Sequence, residues 1–234
     1  MQSRFRRSAK LRSIAQSLIL VCLVAACSPR DSLAGSSNSL MDISADGKLL
    51  ACSNRDSGTV TVVSLENHKV IHEIEVGKHP EGVSFIGGTS NLAVAVYGED
   101  KVVWISAPNG GVIGSVDVFD EPYGVVSTAD GSRLFVTLDY PRQIVEIDPK
   151  SKKQIRTIES GPFSRGLALG PKEERLYVTE FYTSTVRAFD IKSGKVKPHS
   201  QRAKSDKVET AILVALARLI RNARSPQVLQ EAGT

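Results

Sequence analysis

From about Leu40 to Val196 the chain repeats itself every 42 residues without a slip, and this register constrains the fold more than any other feature. Gly82, Gly124 and Gly166 keep the step, as do Leu50, Leu92, Leu134 and Leu176, and so do Val60, Val102, Ile144 and Val186. Val63, Ile105, Ile147 and Phe189 form a further series, and Asp46-Gly47 and Asp130-Gly131 stand two periods apart. Four units are readable.

Each unit holds four short apolar runs of mostly alternating character, separated by Gly, Pro, Asn, Asp or Ser, which is the chemistry of strands and turns. In the second unit the runs are Val83 to Ile86, Leu92 to Val96, Val102 to Ala107 and Val112 to Val118. The joints Gly87-Gly88, Gly98-Glu99-Asp100 and Asn109-Gly110-Gly111 are too short for helices. Four strands in roughly 40 to 45 residues predict a propeller blade, because radial packing buries both faces of each small sheet. The predicted fold is therefore an all-β propeller, or a partial one, of four four-stranded blades at about 40–81, 82–123, 124–165 and 166–198.

The strand Leu176-Tyr177-Val178-Thr179, with Leu134-Phe135-Val136-Thr137 close to it, resembles the motif that names the YVTN repeat family of bacterial β-propellers. Asp130-Gly131, Pro80-Glu81-Gly82-Val83, Pro122-Tyr123-Gly124-Val125 and Val186 to Asp190 extend the likeness over about two thirds of the chain. Glu180 stands where the motif has Asn, which survives as Asn54, and Ser164 replaces the turn proline. Members of that family usually have more blades. An open ring would leave two apolar faces for a tail helix, a second copy or further repeats to cover.

Residues 1–26 read as a signal peptide. Arg4, Arg6, Arg7, Lys10 and Arg12 precede a short apolar run from Ser17 to Ala26, too short to span a membrane. Val24-Ala25-Ala26-Cys27 resembles a bacterial lipobox, which implies lipidation of Cys27, a polar linker over 27–39 and a lipid anchor in the bacterial cell envelope, facing the periplasm or the exterior. Plain secretion with cleavage before Cys27 is the alternative. Cys22 falls in the removed segment, and Cys52, whose equivalents are Val94, Val136 and Val178, is expected to be a buried small hydrophobe, so no disulfide is expected.

The sequence has 30 Lys plus Arg against 25 Asp plus Glu. Five of those cations lie in residues 1–26 with no acid, and seven lie beyond Val196 with three acids, so the repeats themselves are mildly acidic and nucleic acid is excluded as a partner. After Val196 the period stops: Val208 and Arg218 stand where Gly and Leu would continue it. The basic tail 199–234 predicts one amphipathic helix over about 207–224, with Ile212, Leu213, Leu216, Leu219 and Ile220 on one side and Pro226 after its end. Either this helix covers an open blade face or the chain is a truncated product of a longer array.

Ligands of propellers collect where the inner strands begin. The loops there place His79, Glu121 and Phe163 at one repeat position and Glu81, Tyr123 and Arg165 at another, which makes His79, Glu81, Glu121, Tyr123 and Arg165 the candidate ligand-binding residues. His68, His72 and His199 lie elsewhere, and the sequence has no haem-attachment, nucleophile-elbow or phosphate-loop motif. The leading expectation is a non-catalytic binding or assembly scaffold with no cofactor, taking an unknown protein or small-molecule ligand and self-associating if the ring is open. The alternative, by resemblance to propeller lactonases, is a metal-dependent hydrolase using His79, Glu81 and Glu121. A redox role like that of haem-bearing propellers would have only His79 as a ligand.

Overall fold

A computed structural model describes residues 38–183, 185–196 and 201–202. These lie within one compact unit, Ala34–Thr234. The expected signal peptide, Cys27, most of the linker and the tail helix over about 207–224 fall outside the described residues.

The described chain forms four four-stranded antiparallel sheets in sequence order, a four-bladed β-propeller. Blade 1 contains β1 (Asn38–Ile43), β2 (Leu49–Asn54), β3 (Thr59–Ser64) and β4 (Lys69–Glu75). Blade 2 contains β5 (Pro80–Phe85), β6 (Asn91–Val96), β7 (Lys101–Ser106) and β8 (Gly111–Asp117). Blade 3 contains β9 (Pro122–Ser127), β10 (Leu134–Leu138), β11 (Gln143–Asp148) and β12 (Lys153–Glu159). Blade 4 contains β13 (Ser164–Leu169), β14 (Arg175–Glu180), β15 (Thr185–Asp190) and β16 (Gln201–Arg202). The last strand comes from residues that the sequence places in the tail; Gln201 and Arg202 pair with Val186 and Thr185.

Side chains alternate across each blade, so every sheet has a front and a rear. The rear of one blade packs on the front of the next. Ala51, Val60, Val62 and Ile74 at the rear of blade 1 meet Leu92, Val94, Val96, Val103 and Ile105 at the front of blade 2. Ala93, Ala95, Val102 and Trp104 then meet Leu134, Val136, Leu138, Val145 and Ile147. Phe135, Ile144 and Ile158 meet Leu176, Val178 and Phe189. Each large apolar side chain buried this way stabilises by about 1.5 to 3 kcal/mol.

Four blades share three cores. The inner strands follow suit: β1 packs on β5, β5 on β9 and β9 on β13, but no comparable packing joins β13 to β1 among the described residues. This opening changes the reading of Cys52. Its equivalents Val94, Val136 and Val178 are fully buried, whereas Cys52 is only partly buried, because it lies on the front of blade 1, which no other blade covers among the described residues. Burial, and then the nearby Glu73 carboxylate, raise its thiol pKa.

The series Gly82 and Gly124 has a steric cause. A Cβ at Gly82 would overlap the Tyr123 carbonyl of blade 3, and one at Gly124 would overlap the Arg165 carbonyl of blade 4. Beside this contact runs a hydroxyl relay. In blade 3 the Gly124 N–H donates to Thr137 Oγ1 (2.8 Å), which donates to the Arg165 carbonyl of the next blade (3.0 Å). Blade 1 repeats it through Ser53, which accepts from the Leu40 N–H and donates to the Glu81 carbonyl of blade 2. Blade 2 has Ala95 at this place.

Candidate functional site

Antiparallel order puts the loops between second and third strands on the same face as the loops leading into each inner strand. We call this face the mouth. The two loop sets are tied together in register: Tyr97 N–H donates to the His79 carbonyl (3.1 Å), Asp139 N–H to that of Glu121 (3.0 Å) and Phe181 N–H to that of Phe163 (3.0 Å). To present those carbonyls, His79, Glu121 and Phe163 all adopt the left-handed conformation, with φ of 51°, 44° and 52°. The backbone at these positions is therefore alike although the side chains differ.

The second candidate series has partners in another series of the same period, Arg55, Tyr97, Asp139 and Phe181. Each pair spans a blade junction. Arg55 of blade 1 donates to Glu81 of blade 2 (2.7 Å). Tyr97 of blade 2 meets Tyr123 of blade 3 edge to face, with ring centroids 6.3 Å apart. Asp139 of blade 3 accepts from Arg165 of blade 4 (2.9 Å). One junction thus uses cation to anion, the next ring to ring and the third anion to cation. The acids are enclosed, Glu81 at 4% and Asp139 at 1% exposure.

Arg165 is the centre of the mouth between blades 3 and 4. Its guanidinium lies over the Tyr123 ring at 4.7 Å and the Phe181 ring at 4.6 Å, while Asp139 binds its edge. Burial works against its charge, but the Asp139 hydrogen bond and attraction outweigh this and raise its pKa. Burial, then the Glu81 charge, also raise the pKa of Tyr123. Tyr97 is raised first by burial and then by its hydrogen bond to Glu121, which keeps the phenol protonated as a donor. Phe163 and Tyr182 add an edge-to-face pair at 4.4 Å beside this group.

The structure brings Tyr123, Arg165 and, through Tyr97, Glu121 into one neighbourhood. Glu81 stands one junction away, engaged with Arg55, and His79 is an exposed side chain beside Gly98. Among the described residues, no three of His, Cys, Asp and Glu stand together as a set able to hold a metal ion. His79, Glu81 and Glu121 are thus not assembled as the hydrolase alternative requires. Arg55, Tyr97, Asp139 and Phe181 were missed as candidates from the sequence, although their shared period and their charge complementarity to Glu81 and Arg165 were both visible there.

Exposed rings crowd the mouth. Phe119, Tyr140 and Tyr182 are 75%, 69% and 59% exposed in its loops, joined by Phe181. Among the described residues, the loops of the opposite face contain no Phe, Tyr or Trp. That face carries a cleft of about 600 Å3 between blades 3 and 4, whose lining includes Asp130, Arg133, Lys172, Glu173, Arg175 and Lys192. Its charges are mixed and partly engaged in hydrogen bonds, such as the one that Ala129 N–H of blade 3 donates to Glu173 of blade 4 (2.8 Å).

The fold and this mouth define a β-propeller. No family model and no curated protein matches the chain. Among solved structures it is similar to hydrazine synthase of Kuenenia stuttgartiensis (TM-score 0.65, 22% identity, 76% of this chain and 54% of that one). It is also similar to streptogramin B lyase (TM-score 0.62, 14% identity, 75% and 58%) and to the dihydro-heme d1 dehydrogenase NirN (TM-score 0.60, 16% identity, 73% and 37%). At these identities the likeness shows the fold alone. The chain spans about half the length of the structures it matches, or less.

Proposed function

We propose that this protein is a YVTN-type β-propeller lipoprotein of the bacterial cell envelope that serves as a binding or assembly scaffold, anchored through Cys27 and engaging its ligand at the mouth. The observation that carries the reading is that, among the described residues, the Phe and Tyr rings of the loops are confined to one face. Tyr and Phe supply large contact area at small entropic cost, and exposed rings concentrated on one surface are what recognition surfaces use. The Arg165 group gives this surface a rigid centre, since its cation is held by a buried carboxylate and two rings.

Photo-crosslinking residues placed at Tyr140 and Tyr182, and in parallel at Lys172 and Lys192 on the opposite face, test the reading in a bacterial host. Adducts confined to the mouth positions support it; equal adducts from both faces, or adducts from Lys172 and Lys192 alone, overturn it. Fractionation tests the anchor separately. Cys27→Ser should move the protein from the membrane to the soluble fraction, since stable anchoring depends on acyl chains.

A further inference from the structure

We propose that the rear face of blade 4 is a docking surface for residues 203–234 of this same chain, through the apolar series Ile212, Leu216, Leu219 and Ile220. The rear of every earlier blade is covered by the next one. Val60, Val102 and Ile144 are fully buried there, while their equivalent Val186 is only partly buried, and Tyr177 beside it likewise. The hydroxyl relay points the same way. Gly166 N–H donates to Thr179 Oγ1 (2.9 Å), as Gly124 does to Thr137, but Thr179 has no acceptor from a following blade among the described residues.

The opposite end of the array is finished differently, although it too keeps an exposed apolar side chain, Met41, at 58% exposure. On the front of blade 1 the Asn54 amide donates to Thr59 and Thr61 (3.0 and 2.7 Å), and both hydroxyls donate to Glu73. At the places of Asn54 and Thr61, blades 2 and 3 have Val96 and Val103, and Leu138 and Val145, apolar and buried against a neighbour, while blade 4 has the ion pair of Glu180 and Arg187. Polar, self-satisfied outer faces are how repeat arrays end in water. The occupant of the other end follows from connectivity and composition. The described chain leaves the fold at Arg202, on the outermost strand of blade 4 itself. Ten residues later the sequence begins an apolar series at helical spacing, close enough along the chain to reach that face at high local concentration.

The test uses the full chain with Val186→Asp, Leu216→Asp, and both together. Each single variant should lower the thermal midpoint by about 4 °C or more and release the tail to limited proteolysis, while the double variant falls little further, because both break one contact. Val63→Asp, on the front of blade 1, should leave tail resistance unchanged. If Val186→Asp does not fold, Val186→Thr carries the same comparison at nearly constant volume. The proposal is overturned if the wild-type tail is cut as fast as an unfolded peptide, if Val186→Asp changes neither reading, or if the two effects add. Sedimentation decides the remaining case: a concentration-dependent dimer abolished by Val186→Asp means that a second copy occupies the face, and the proposal fails.

Discussion

The front of blade 1 and the rear of blade 4 are the two faces that no other blade covers among the described residues, and they are finished in different ways. Blade 1 has Asn54 and Thr61 where blades 2 and 3 have apolar side chains, and both donate to Glu73. Blade 4 keeps Tyr177, Val186 and Ala188 and a hydroxyl, Thr179, placed as it is at the junctions. A repeat unit carries no mark of being last in its strand pattern. What distinguishes the two ends is whether polar side chains that satisfy one another stand among the positions that would have met a neighbour.

The comparison is sharpest in the series Val63, Ile105, Ile147 and Phe189, which occupies the same place on the front of every blade. Ile105, Ile147 and Phe189 are fully buried. Their replacement by Ala should cost about 2 to 5 kcal/mol through lost transfer energy and the cavity left behind. Val63→Ala, with no blade in front of it, should cost less than about 1 kcal/mol. Urea unfolding of the four variants measures this, and equal losses would mean that the front of blade 1 is covered as closely as the others.

Next in size is the junction at the mouth. Arg165→Ala leaves the enclosed Asp139 carboxylate without its cation and should cost on the order of 3 kcal/mol. Arg55→Ala breaks the corresponding pair at the first junction, but Arg55 does not lie between two rings among the described residues, so its cost should be smaller by roughly 1 kcal/mol. Arg165→Lys separates the contributions, since a lysine keeps the charge and loses the planar stack. A thermal midpoint for Arg165→Lys equal to wild type would show that the rings contribute nothing.

A smaller difference is expected within the relay. Thr137→Val removes an acceptor for Gly124 and a donor to the next blade, two bonds worth together about 1 to 2 kcal/mol. Thr179→Val removes one bond to a described residue, so the loss should be about half as large. If the two losses match, Thr179 has found an acceptor beyond the described chain, which the docking of residues 203–234 would supply.

The smallest effect concerns the turns of blades 1 and 3. Asp130 is held at a pKa of about 2, first by the Thr128 hydroxyl and then by the Ser132 N–H, against an ordinary value of 3.8. Asp46 is lowered in the same way, first by Ser44. A folded pKa below the unfolded one stabilises at pH above about 4, and that contribution is lost as pH falls through about 2. Because Asp130 is fully exposed, the effect on stability is slight, and carboxyl-carbon NMR titration is the better measurement. Thr128→Ala should move the Asp130 midpoint upward; an unmoved midpoint would show that the hydroxyl is not its main support.

Much of the fold was legible because a blade is a local object. Strands of each sheet are neighbours in sequence, joined by short turns, and alternation assigns every core position to a face: Leu92 and Val94 to the front, Ala93 and Ala95 to the rear. The positions of Glu81, Tyr123 and Arg165 at the loops leading into the inner strands were legible for the same reason. Their work as links was not, because Arg55, Tyr97 and Asp139 reach them across a blade boundary. Cys52 shows the same limit. Its strand position reads as apolar from its equivalents, yet its burial depends on a neighbouring blade, and none stands in front of it among the described residues.

Periodicity and alternation, which act within about forty residues, were enough for strand, turn, blade and the packing face of each side chain. Long-range geometry settled the rest. That the inner strands run β1, β5, β9, β13 with no comparable packing from β13 back to β1 among the described residues, that a relay crosses from Thr137 to the Arg165 carbonyl, and that the described loop rings gather at the mouth are consequences of how successive sheets are set against one another. Such angles arise from the summed packing of many side chains across a junction, and no single repeat contains them.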